Sequence, residues 1–170
     1  GTDIHLQRGN ANKIMARLLQ HAPIRLVRME GGSLRNAIPR EAVADFYTDE
    51  TNFQSFKKQM DRLVSEIKVE LASVDPNFDV HLEEIQLSGK SMSPLNQKQF
   101  INALVASFNG VFRMSPDIAD LVEASNNVAR VEVGEGSARV LTLQRSSVES
   151  SKEDVANTVA APWHVLGASV

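Results

Sequence analysis

The order of elements in this sequence predicts an α+β fold. It reads as two ferredoxin-like (split βαβ) halves with antiparallel sheet and helices on one face, the first half lacking its first strand. Three observations carry this. A helix–strand–strand–helix–strand succession reads twice along the chain. Phe53, Phe56, Met60, Leu63, Ile67 and Leu71 form one apolar stripe at spacings of three and four, which fixes the longest helix. Gly134-Glu135-Gly136 separates two strand-like runs and marks a tight hairpin. The halves divide as residues 1–88 and 89–170.

Taken in order, residues 10–21 place Ile14, Leu18, Leu19 and Ala22 at helical spacing, with Asn10 as a cap and Pro23 as the stop. Residues 24–30 and 42–48 read as strands, so the stretch between them, GGSLRNAIPRE at 31–41, links a long hairpin. The striped helix covers 50–73. Asp75-Pro76-Asn77 signals a turn, residues 78–88 read as a strand, and GKSMSP at 89–94 as a linker. A second helix pattern runs over 95–108, followed by a less regular stretch with one short helix after Pro116. Strands are expected at 128–133 and 138–145, and a helix at 150–161, kinked or broken by Pro162. Residues 168–170 would begin a last strand. In the first half only Gly1–Gly9 precede the helix, where a ferredoxin-like unit would have a central strand. The chain therefore reads as a piece of something longer.

Composition narrows the function classes. The 170 residues are 42% hydrophobic and 23% charged, enough for a buried core. No apolar run is long enough to span a bilayer, and the start, GTDIHLQRGNANK, lacks the apolar region of a signal peptide. There is no cysteine, which excludes disulfides, thiolate metal sites and a Cys nucleophile, and which fits a cytoplasmic location. With 18 basic against 21 acidic side chains and only 5% aromatics, neither a basic stripe nor a stacking face for nucleic acid is present.

The search for chemistry is mostly negative. His5, His21, His81 and His164 are scattered, with no metal-binding spacing, and His81 with Glu83 and Glu84 reads as a solvated strand face. Gly32-Ser33 lacks the second glycine of a nucleophile elbow. The glycine pair is followed by a strand rather than a helix, which argues against a phosphate loop. Arg35 and Arg40 flank Asn36 and can hold an anionic group or serve only solubility. Arg145 ends an apolar strand face shared with Leu141 and Leu143. It either snorkels to solvent or holds a carboxylate, and the residues alone favour snorkelling.

The runs GNANKIMARLL, GGSLRNAIPREA, VEASNNVARVEV and LTLQRSSVESSK resemble the lid, or dimerisation, domain of the aminoacyl-histidine (Xaa-His) dipeptidases. These are the cytosolic non-specific dipeptidase branch of the zinc-dependent exopeptidases. The resemblance extends over nearly the whole chain. The long run around Asn36 is specific to the dipeptidase branch, while Asn-x-Ile-Pro is general to the wider group. It implies a cytoplasmic parent enzyme with a zinc pair, whose metal ligands and general base all lie in a catalytic domain and none in this chain. Within the lid it implies substrate-binding roles for two residues. Asn36 matches the Asn whose amide meets the substrate backbone, and Arg145 matches the Arg that pairs with the free substrate carboxylate. This reverses the reading of Arg145 from the residues alone. The family's Gly-Gly-His-Ser-Gly run, whose His reaches the reacting carbonyl, is not matched here. Gly1 is either its last glycine or a foreign residue, and His5 does not fit the position.

The expectation is therefore an excised lid domain, inactive alone, that binds no cofactor itself. Its partners would be its own catalytic domain, a dipeptide substrate and a second copy of the chain, with no nucleic acid and no membrane. The alternative is a free-standing ferredoxin-like module that senses a small amino acid.

Overall fold

The structure is a computed structural model and describes residues 3–170, with side chains from residue 4 onward. Gly1 lies outside the described residues. A 3-10 turn at Asp3–Leu6 leads into α1 (Ala11–Leu19), β1 (Arg25–Gly31), β2 (Ala42–Tyr47), α2 (Glu50–Glu70), α3 (Pro94–Ala106), β3 (Gly110–Met114), β4 (Val122–Gly134), β5 (Ser137–Ser146) and α4 (Glu149–Val165). The α+β class and the antiparallel sheet are as the sequence predicts.

All five strands join in one antiparallel sheet. Its backbone is β4. Along one edge β4 pairs with β5 from Ala124↔Ser146 to Gly134↔Ser137. Along the other it pairs first with β3, through Gly110↔Asn126, and then with β1, through Met29↔Val133. β1 continues to β2, whose outer edge ends the order β2-β1-β4-β3. The β4–β5 turn takes positive φ at Glu135 (51°) and Gly136 (78°), the two left-handed central residues of a type I′ hairpin.

Helix starts follow the capping residues. Asn10 Oδ1 accepts from the Lys13 amide (3.2 Å), Asp49 Oδ1 from the Asn52 amide (2.8 Å), and Ser93 Oγ from the Asn96 amide (3.2 Å), with Pro94 in the first turn. The apolar stripe of α2 buries Phe56, Met60, Leu63 and Ile67. These join Leu18, Leu19, Leu26, Met29, Phe100, Leu104, Val128 and Val131 in one core. Phe46 meets Phe56 edge to face at 5.2 Å. A smaller cluster seats Val155 and Val159 of α4 on Ala124. Lys13 ties α1 to the end of α3: its Nζ donates to the carbonyls of Leu104, Val105 and Ser107 at 2.6–2.7 Å. Burial pulls its pKa down to about 8.

Six expectations are corrected. Residues 78–88 do not form a strand. Phe78, Val80 and Leu82 do turn inward against the core while Asp79, His81 and Glu83 face solvent, so the alternation is real. The segment enters no ladder. It lies across a groove of about 1720 Å³ from β2, and the Tyr47 hydroxyl donates to the Gly89 carbonyl (3.0 Å). β4 begins at Val122, six positions before the expected 128, because VEASNN looked like loop. The irregular stretch before it contains β3. No helix follows Pro116; Ser115 Oγ instead accepts from the Asp117 and Ile118 amides and turns the chain back into β4. α4 runs through Pro162 to Val165, and residues 168–170 are not in a strand. Pro162 sits near the end of α4, where only one bond is lost. Trp163 beside it is anchored by Phe100 (5.8 Å) and by donating its Nε1–H to Ser107 Oγ (2.9 Å).

Candidate functional site

The link from Gly31 to Glu41 has no regular secondary structure after its first residue, yet it is held at many points. Gly31 packs where a side chain cannot fit: a Cβ there would lie 1.9 Å from Asn12 Oδ1. Gly32 has φ +75°, and a Cβ on it would lie 1.9 Å from the Ala129 carbonyl oxygen. The pair is therefore required by close approach, Gly31 to Asn12 of α1 and Ala42 of β2, Gly32 to Ala129 of β4. The Gly32 amide donates to the Glu41 carbonyl (3.4 Å). Further on, the Ala37 amide turns back to the Leu34 carbonyl (3.2 Å), and the Pro39 carbonyl accepts from the Ala11 amide (3.0 Å).

Arg40 closes the link. Its Nη1 donates to the Gly9 carbonyl (3.0 Å), and its guanidinium forms a two-toothed ion pair with Asp75, which also accepts from the Gly9 amide (2.7 Å). Burial pushes the Asp75 carboxyl up, but the hydrogen bonds from Arg40 and Gly9 and the charges of Arg40 and Arg8 outweigh it and hold it below its usual value. Arg40 is thus a structural residue, taken up by Asp75.

The tip of the link presents Asn36, exposed, beneath the sheet face opposite the helices. On that face the register pairs Ser125 with Arg145 and Asn127 with Leu143, so these four side chains project together. Ala124, on the other face, meets α4. Ile4, Arg35, Asn36, Ile38, Ser125, Asn127, Leu143 and Arg145, with Asn126, line one small pocket. The two residues singled out in the sequence, one from the β1–β2 link and one from the end of β5, therefore meet at one place. The enclosed volume is about 20 Å³, room for one water. Among the described residues its lining includes two guanidinium-bearing side chains, Arg35 and Arg145.

Under the pocket lies a set of buried amides that the sequence reading passed over. Asn10, Asn12, Asn126 and Asn127 are all buried. Asn10 Nδ2 donates to Asn109 Oδ1 (2.9 Å), Asn127 Oδ1 (3.2 Å) and the Val128 carbonyl (3.0 Å). Asn12 Nδ2 donates to the carbonyls of Gly31 and Val128, both at 3.3 Å. The signal was the density of Asn in GNAN and SNN, on a helix cap and on a strand that read as loop.

The comparisons with known proteins follow this geometry. The family described as the peptidase dimerisation domain matches residues 1–75. The cytosol non-specific dipeptidase of Escherichia coli (strain K12) is 31% identical over 99% of this chain. The crystal structure of aminoacylhistidine dipeptidase from Vibrio alginolyticus superposes with a TM-score of 0.94 at 34% identity over 98% of this chain. The chain is a peptidase dimerisation domain of the dipeptidase kind. This domain spans 36% of the curated relative's length and 35% of the solved chain's. The amino-acid-sensing alternative is not favoured by any of these likenesses.

Among the described residues of the dimerisation domain, no three of His, Asp and Glu come together as a metal ion needs. Nor is any described helix long and apolar enough to cross a membrane.

Proposed function

We propose that this domain is the lid of a cytoplasmic, zinc-dependent dipeptidase acting on Xaa-His and related dipeptides. It would close over an active site carried by a catalytic domain of the same protein and bind the substrate through Asn36 and Arg145. The observation that carries this reading is the convergence of those two side chains on one pocket.

Each residue suits its part. The Arg145 guanidinium offers two parallel N–H groups to a planar carboxylate, and Arg35 adds positive charge at the same pocket. The Asn36 side chain carries both a donor and an acceptor, the pair that a peptide group needs. The pocket is too small to enclose a dipeptide, so the substrate would rest at its mouth, with the opposite wall supplied by the catalytic domain. No step is assigned to a metal held by this chain. The domain's share is binding, orientation and exclusion of water.

A homodimer belongs to the same proposal. Among the described residues the outer edge of β2 closes no ladder, and Val43 on β2 is exposed, so a second copy can pair there. The names of the related proteins support the dipeptidase activity and the cytosolic location.

The test uses the full-length protein supplied with zinc and an Xaa-His dipeptide. Asn36→Ala and Arg145→Ala are each expected to lower kcat/KM by roughly a hundredfold, about 2.7 kcal/mol of lost transition-state binding, while Tm holds. The isolated 170-residue chain should not hydrolyse the dipeptide. Wild-type kcat/KM in both variants, or turnover by the isolated chain, would contradict the proposal.

A further inference from the structure

We propose that Asn127 is the residue that positions Asn36. The inference rests on the substrate-binding reading of Asn36 above and adds what holds that side chain in place. Asn127 sits on β4, buried, on the sheet face that carries the pocket. Its Nδ2 group donates both hydrogens to the link: one to the Arg35 carbonyl (3.2 Å) and one to the Ala37 carbonyl (2.7 Å). These are the two residues on either side of Asn36. One amide thus grips the backbone immediately before and after the residue proposed to touch substrate.

The grip is itself fixed. Asn127 Oδ1 accepts from Asn10 Nδ2 (3.2 Å), which orients the amide so that its NH₂ faces the link. Asn10 is held in turn by Asn109 and the Val128 carbonyl, and its own Oδ1 caps α1. The chain of contacts runs from a helix start, through two buried amides, to the exposed tip. A side chain on an irregular link gains a defined position only if the backbone beneath it is pinned, and a displacement of about 1 Å can cost a hundredfold in rate. Asn127 is a positioning residue, because it acts through Asn36 rather than on the substrate.

The experiment is a double-mutant cycle in the full-length, zinc-supplied enzyme with an Xaa-His dipeptide. Asn127→Asp keeps the size but turns a donor into an oxygen facing two carbonyls. Asn127→Ala removes the grip without burying a charge and serves if the first variant fails to fold. Either is expected to lower kcat/KM roughly tenfold or more in the wild-type background and to change it less than about twofold in the Asn36→Ala background. Arg145 sits on β5 outside the grip, so the preference for a free carboxylate over a carboxamide should persist in the Asn127 variants. Equal losses in both backgrounds, or no loss in the wild-type background, overturn the positioning role. An Asn36→Ala enzyme with normal turnover overturns the substrate-binding reading as well, so the two failures are distinguishable.

Discussion

Two irregular segments of this domain differ in how they are held. The link between β1 and β2 presses on α1 through Gly31 and on β4 through Gly32, is gripped by Asn127, bonds the α1 start through Pro39 and ends in the Arg40–Asp75 pair. Residues 78–88 carry the stronger secondary-structure signal, an alternating apolar pattern, yet among the described residues they enter no ladder and lie across a wide groove from β2. The segment that looks like a strand is held by half-buried side chains. The segment that looks like a loop is held by its backbone. Positional definition here comes from polar side chains bonded to main-chain groups, and the proposed binding residue stands on the segment that has it.

The largest effect expected from breaking this contrast is at Gly32. Alanine there meets both the left-handed backbone and the Ala129 carbonyl, and should cost about 3 kcal/mol in urea unfolding. A loss below about 1 kcal/mol would mean that the link is not pressed against β4. Asn10→Ala comes next, at about 2 kcal/mol, since it removes a helix cap and the support of Asn127 together. It should also lower turnover of the full-length enzyme, which a simple cap would not. Leu82→Ala, in the loosely held segment, should cost only about 1 kcal/mol and leave turnover unchanged. A cost like that at Gly32 would erase the contrast.

The smallest effect is electrostatic and lies where the two regions meet. Asp75 precedes the loose segment and anchors the pinned one. Its folded carboxyl titrates below its ordinary 3.8, so the unfolded chain binds the proton first as pH falls. The contribution is complete above 3.8 and is lost as pH drops through the folded value. Asp75→Asn should flatten this acid limb in thermal melts between pH 5 and 2, about the range over which such carboxylates titrate. An unchanged limb would remove Asp75 from the account.

Where the sequence signal was local, it was readable. The stripe of α2, the Asn10 cap and the Gly134–Gly136 hairpin all depend on neighbours a few residues away. What was missed depends on distant partners. Residues 78–88 have the side-chain period of a strand but no strand beside them, and a period alone cannot supply one. Val122–Asn127 look like loop because buried amides are polar, and only the folded chain reveals that Asn10 and the 31–41 link satisfy Asn127 while Phe108 and Gln144 satisfy Asn126. Asn36 and Arg145 are singled out by family likeness and not by local chemistry, since each is one ordinary polar residue until β5 and the link bring them to one pocket. Asn127 was in a quoted run and still invisible as a support, because its partners are backbone carbonyls some ninety positions away.

The central claim is that Arg145 receives the substrate carboxylate. Its most direct test compares kcat/KM for an Xaa-His dipeptide and for the same dipeptide with a C-terminal carboxamide, in the full-length wild type and in Arg145→Ala. The account predicts that the wild type favours the free acid by roughly a hundredfold, as a charged hydrogen-bonded pair warrants, and that Arg145→Ala removes most of this preference while processing the carboxamide nearly as well as wild type. An Arg145→Ala enzyme that keeps the full preference would contradict it.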